Sequence, residues 1–381
     1  MTSRGFYTLL FGVLMLFTAL SVGSAGAFLL GAAALTCWLL ALVSVLAGAL
    51  SCKVSHEIDG GQTTRGTSCL YRLRLRMPLP APIAPLSLKV CLPSGRQSDF
   101  RLAANLFGET ESENTFACPH VGVYPVGIVQ MTFSDCFGLF SLRRKAPLPL
   151  VSVAVLPVPL ETDPLTVSPG EGESTTTQRA LADHSVPEDI RAWQDGDELK
   201  RVHWKLSMRR QSLMVHTYET PQRPDALVLM DCAAPKGAPG SRAALIDALT
   251  EACAGTLKSL LESGRAVRLP LSSSGQGEFS GHDAQALSAM LHALAGAGYS
   301  ETTDFSRVLW LASRRMQRTG STAILTTRLT PAVADAAIAL SRMGSKMRFT
   351  LVTAGELSEE EAQLLHLLLA SGLETAHIRA A

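Results

Sequence analysis

Charge is in short supply in this sequence. Only 18% of its 381 residues are Asp, Glu, Lys or Arg, against a typical quarter. The shortage is local, because residues 1–50 carry a single charged side chain, Arg4. Neither sign is in excess: 34 Lys+Arg against 33 Asp+Glu leave +1. That balance supplies no basic field for nucleic acid and excludes a highly charged disordered chain. Chemical signatures are also missing. The eight cysteines (37, 52, 69, 91, 118, 136, 232 and 253) include no Cys-x-x-Cys pair and no His/Cys metal spacing. They read as reduced, small apolar residues rather than a disulfide framework. No P-loop, Gly-x-Gly-x-x-Gly fingerprint or Gly-x-Ser-x-Gly elbow occurs, so no cofactor is expected.

What the chain does have is two long apolar runs, Gly5–Val22 and Ala27–Leu50, separated by the uncharged stretch Gly23-Ser24-Ala25-Gly26. At about 1.5 Å per residue each is long enough to cross a bilayer core of roughly 30 Å. The expectation is a transmembrane helical hairpin over residues 1–52. A signal peptide cleaved near Ala25-Gly26-Ala27 is the alternative. Arg4 before the hairpin and Lys53 after it place both ends in the cytoplasm by the positive-inside rule. The expected location is the cytoplasmic membrane, with membrane lipid as a partner.

Residues 53–160 read as a β-sandwich-like domain. Cys69, Tyr71, Leu73 and Leu75 alternate with Ser68, Arg72, Arg74 and Arg76, and Leu86, Leu88, Val90 and Leu92 repeat the period of two. Prolines crowd this region, where they punctuate strands. The acidic run Glu109–Asn114 reads as a solvated loop. Residues 161–187 form a Thr/Ser/Gly/Pro-rich linker. From 222 to 381 apolar strands (226–230, 266–271, 321–326, 347–352) alternate with helical stretches (241–263, 284–297, 305–318, 331–343, 358–369). Ser358-x-x-Glu361 forms a capping box there. This rhythm predicts a parallel, doubly wound α/β domain and, with the earlier segments, an α+β multidomain chain.

The most distinctive segment is 188–221. Asp195 is positioned to cap a helix from Gly196, with Val202 and Leu206 on one helical face. Its pattern is Arg191-x-Trp193-x-x-Gly196-Asp197-x-x-x-Arg201-x-His203-Trp204-Lys205-x-Ser207-x-Arg209, followed by Leu213-Met214-Val215. Upstream stand Gly122-Val123-Tyr124-Pro125 and Asp135-Cys136-Phe137-Gly138-Leu139-Phe140. These stretches resemble the bacterial domain-of-unknown-function 58 family. Trp193, Met208 and Cys136 stand where that family usually has tyrosine, alanine and proline. The resemblance implies a membrane hairpin, a β domain, this motif and a von Willebrand factor A-like domain, with no established enzymatic activity. It also implies partnership with a MoxR-type AAA+ ATPase, and often with a transglutaminase-like membrane protein, in assembling or remodelling envelope complexes.

Three chemistries compete for the motif and the last domain. The interaction reading packs Trp204 between the β and α/β domains, inside a polar network of Arg191, Asp197, His203 and Arg209. A hydrolase reading takes His203 as general base beside Asp197 and Ser207, but no nucleophile context accompanies it. A metal-dependent adhesion module would use Asp231 at the end of the first α/β strand. There Asp231-Cys232-Ala233-Ala234-Pro235 lacks hydroxyl ligands, and Thr326-Thr327-Arg328 places a cation where an acid is wanted. Asp231 is therefore expected to cap its own following segment, and metal binding is not expected. The expected role is a membrane-held scaffold rather than an enzyme.

Overall fold

The computed structural model describes residues 1–77, 85–93, 97–103, 108–161, 189–194, 202–217, 226–271, 275–316, 320–342 and 346–380. The expected linker and the start of the expected 196-onward helix lie outside them. The chain divides into two compact units. One holds Met1–Val158, Gly237–Glu251 and Leu291–Gly298; the other holds Pro159–Lys236, Ala252–Met290 and Tyr299–Ala381.

The first unit opens with α1 (Ser3–Val22) and α2 (Ala25–Ser51), both long and apolar enough to cross a membrane. Thr2 caps α1 by accepting the Gly5 N–H, and Ser24 caps α2 by accepting that of Ala27. The reversal between them is made by Gly23 at φ 67°, a left-handed conformation that suits glycine. Small residues let the helices close: a Cβ on Gly12 would press on Leu35, and one on Gly31 on Leu16.

Two sheets follow. β1 (Lys53–Ile58), β3 (Ser68–Met77) and β6 (Gly108–Ala117) form one antiparallel sheet in the order β1-β3-β6. The other runs β2 (Gln62–Thr64), β9 (Val151–Leu156), β7 (Gly122–Ser134), β4 (Leu86–Cys91) and β5 (Gln97–Leu102), with β8 (Ser141–Lys145) paired to β7. Period-two alternation sends Tyr71, Leu73 and Leu75 into a common core with Leu86, Leu88, Ile128, Met131 and Phe133.

Two expectations are corrected. The acidic run is a strand, β6, whose Glu113, Glu111 and Glu109 face Arg72, Arg74 and Arg76 across the ladder at 2.7, 3.1 and 3.7 Å. Nor does the core respect the boundary at residue 52, since Ala41, Val45, Ala49 and Cys52 are buried in the same cluster as the strands. Within the same unit Asp247, 1% exposed, accepts hydrogen bonds from the Val121 N–H at 2.7 Å and the His120 ring at 2.8 Å. Arg65 lies 3.4 Å from Asp247 and 2.7 Å from Glu251.

The second unit holds a small antiparallel pair and a six-stranded sheet. The pair is β10 (Asp189–Ala192) with β11 (Met214–Thr217), and between them in sequence is α3 (Trp204–Arg210). The sheet is built from β12 (Ala226–Met230), β13 (Val267–Pro270), β14 (Glu278–Gly281), β15 (Ser321–Thr326), β16 (Lys346–Thr353) and β17 (Glu374–Arg379). Its order is β14-β13-β12-β15-β16-β17, parallel except for the edge strand β14. The central strands β12 and β15 are buried at every residue, as a sheet covered on both faces requires. Helices α6 (Phe305–Met316), α7 (Pro331–Ser341) and α8 (Glu359–Ala370) belong to this unit, whereas α4 (Pro239–Glu262) and α5 (Ala284–Ala295) are each shared with the first unit, which takes residues up to Glu251 of α4 and from Leu291 of α5. The capping box of Ser358 and Glu361 is formed at α8. Leu227, Leu229, Ile324, Phe349 and Leu351 of the sheet bury against Phe305, Leu309, Ala337 and Leu340 of α6 and α7.

Candidate functional site

The motif folds around one buried hydroxyl. Ser207 is 6% exposed; its Oγ accepts the Met214 N–H at 2.8 Å and donates to the His203 carbonyl at 3.0 Å. The Met214 carbonyl in turn accepts the His203 N–H at 2.8 Å, and the Leu213 carbonyl accepts that of Trp193 at 2.8 Å. The short helix α3 is thus stitched to the start of β11 by the Ser207 hydroxyl and by the backbone of its N-cap, His203.

His203 has a local task. Its Nδ1 accepts the Leu206 N–H at 3.1 Å, so the imidazole is the N-cap of α3. Gln211 closes the helix in the left-handed conformation at φ 52°. Val202 is buried but precedes the helix, so the expected Val202–Leu206 helical face does not form. The expected burial of Trp204 is also corrected. Trp204 is 60% exposed and Met208, one turn on, is 80% exposed. Lys205, Arg209 and Arg210 are exposed beside them. The reason is positional: α3 faces inward through Ser207, so the ring at its first residue points away.

Trp193 is half-buried, and its indole Nε1 finds no hydrogen-bond partner among the described residues. Arg191 lies in β10, opposite Val215. Gly196, Asp197 and Arg201 lie outside the described residues, so the pairing of His203 with Asp197 required by the hydrolase reading does too.

Asp231 follows β12 and is 1% exposed. Its carboxylate accepts the Thr326 hydroxyl at 2.7 Å and the Ala233 N–H at 2.8 Å. Burial pushes its pKa up, opposed by those two bonds and by Arg328. It caps its own following segment, and the structure adds a buried link to β15 through Thr326. Among the described residues no three His, Cys, Asp or Glu side chains converge as metal ligands.

Two apolar N-terminal helices, several sheets and this stitched motif define a mixed α/β protein. The family described as Protein of unknown function DUF58 matches residues 189–367, which span the motif and most of the α/β sheet. Residues 189–367 are thus a DUF58-family region. No curated protein matches it. Among solved structures, Cwp6 from Clostridium difficile aligns over 86% of this chain and 37% of its own, at 9% identity and a TM-score of 0.19. That likeness is too weak to carry an argument.

Proposed function

We propose that this chain is a membrane-anchored scaffold that presents the motif helix α3 to a protein partner. The observation that carries the reading is the exposed face of α3. Trp204 and Met208 stand one turn apart in solvent, flanked by Lys205 and Arg209, on a helix whose inward side is pinned by Ser207. Trp, Met and Arg are enriched at interfaces, and a rigid aromatic anchor binds at low entropic cost. The partner class is the one expected from the sequence resemblance, a MoxR-type AAA+ ATPase, with a transglutaminase-like membrane protein as a further associate. In this reading the apolar hairpin crosses the cytoplasmic membrane and both larger domains lie in the cytoplasm. The β strands of the first unit act as a sandwich, and the parallel sheet as a von Willebrand factor A-like platform without catalytic or metal chemistry.

The test is capture from native membranes. Trp204→Ala and the pair Lys205→Glu/Arg209→Glu should leave thermal stability nearly unchanged while the ATPase no longer co-purifies. Undiminished capture by both variants would refute the assignment of this face. A C-terminal reporter active only outside the cytoplasm tests the topology and should stay silent.

A further inference from the structure

We infer that the β region of the first unit does not hang free below the hairpin but sits on the membrane surface, binding anionic phospholipid headgroups through an aromatic and basic edge. This rests on the proposed membrane insertion of α1 and α2. The level of the edge is fixed by contacts at the start of α1. Thr2 donates its N–H to the Leu139 carbonyl at 3.0 Å, and its hydroxyl lies 2.7 and 2.8 Å from the Gly138 and Leu139 carbonyls. A Cβ on Gly5 would collide with that same Leu139 carbonyl. From α2, the Trp38 indole donates to the Gly5 carbonyl at 2.9 Å and packs edge-on against Phe140 at 5.1 Å.

At 20 residues, or about 30 Å, α1 uses its whole length to cross. Gly5 therefore lies at the bilayer face, and residues 138–140 lie with it. Phe137, next in the same turn, is 67% exposed and points a large apolar ring out of the protein.

α2 continues past that level. Thirteen residues follow Trp38 in α2, about 20 Å of helix, whereas only Ser3 and Arg4 precede Gly5 in α1. One side of that overshoot, Ala41, Ser44, Val45, Gly48 and Ala49, is buried. The other carries Leu39, Val43, Leu46 and Leu50, between 44% and 81% exposed, at helical spacing.

Charge selects the lipid. Residues 1–56 and 136–160 contain Arg4, Lys53, Arg143, Arg144 and Lys145 and no acidic residue, and Asp135, which precedes the Phe137 turn, is 2% exposed and taken up by the Phe137 and Phe140 N–H groups. The Arg144 guanidinium donates to the Ala49 carbonyl at 2.6 Å and closes α2. Arg4, Lys53, Arg143 and Lys145 are exposed. Juxtamembrane bases beside an interfacial aromatic are the pattern that an anionic leaflet attracts.

The experiment uses the full chain in nanodiscs of phosphatidylcholine alone or with one quarter phosphatidylglycerol. Cys37 and Cys136, the two exposed thiols, are replaced by serine. A nitroxide is then placed singly by Leu14→Cys, Phe137→Cys or Ser371→Cys. Oxygen and nickel-chelate collision rates report depth. The expected result is a lipid-like ratio at 14, a water-like ratio at 371, and a ratio at 137 several-fold above that at 371. The ratio at 137 should rise further with phosphatidylglycerol and fall to the water-like value with Arg143→Glu/Lys145→Glu. A water-like 137 beside a lipid-like 14 overturns this inference and leaves the hairpin standing. A water-like 14 overturns the hairpin as well. Depth at 137 indifferent to both phosphatidylglycerol and the charge reversal overturns the headgroup assignment.

Discussion

Replacing Ser207 with alanine isolates the hydroxyl that holds the family motif together. The substitution removes the acceptor of the Met214 N–H, a buried donor bonded at 2.8 Å. It also removes a donor to the His203 carbonyl, but that carbonyl keeps the N–H groups of Ser207 and Leu206 at 2.9 and 3.1 Å. Stranding one buried donor costs about 1–3 kcal/mol, and the surviving bonds at His203 keep the second loss small. The change should open this region locally, so the right readout is hydrogen exchange at the Met214 amide in the detergent-solubilised full chain. An opening free energy lowered by that amount speeds exchange by about 5- to 150-fold. Exchange at the buried Leu229 amide of β12 should stay unchanged. His203→Asn, which keeps a capping side chain, should have a much smaller effect than His203→Ala, for which about 1 kcal/mol is expected. If the Met214 amide exchanges equally fast in wild type and Ser207→Ala, the hydroxyl is not the pin and the motif is organised by something else.

Asp247→Ala should destabilise the chain by about 1–3 kcal/mol, read by thermal melting, because it strands the buried Val121 N–H, while the part-exposed His120 and Arg65 can turn to water and Glu251. Arg74→Glu should lower the melting temperature by opposing Glu111 and Glu57, and Arg74→Glu/Glu111→Arg should recover part of the loss; no recovery would mean that the ladder is incidental. His56 is held below the ordinary histidine pKa by burial, with its Nδ1 unpartnered among the described residues and its ring stacked on Tyr71. The unfolded chain therefore takes the proton first, and stability present above the ordinary value drains away as pH falls through it. His56→Phe should flatten that acid limb, and an unchanged slope would place its origin elsewhere.

The α/β strands and helices were legible because β12 is a wholly apolar run, because β15 carries Ala323-Ile324-Leu325 at its centre, and because Thr330-Pro331 and Ser358-x-x-Glu361 mark helix starts. β6 was not, for it offers no apolar alternation and becomes a strand only opposite the arginines of β3. Its signal was there in another form, Glu-x-Glu-x-Glu against Arg-x-Arg-x-Arg. β14 and β17 are short and half-exposed at the sheet edges, where packing imposes little pattern. In the motif the residue types were readable but their directions were not. Trp204 looked like a core residue because aromatics usually bury, whereas the bonds of the Ser207 hydroxyl decide which way α3 faces. The capping role of His203 depends on a ring orientation that spacing alone does not encode.

The burial of Ala41, Val45, Ala49 and Cys52 among the β strands has a practical side for anyone wishing to handle the soluble half alone. A fragment cut at Lys53, the obvious place to trim, would not be a domain released from its anchor. It would be a domain with one wall taken away, baring Val54, Leu139, Phe140 and their neighbours to water. Such a fragment should aggregate or demand detergent. A replacement for the lost wall would have to be a helix carrying the small residues Ala41, Ser44, Gly48 and Ala49 at their native spacing.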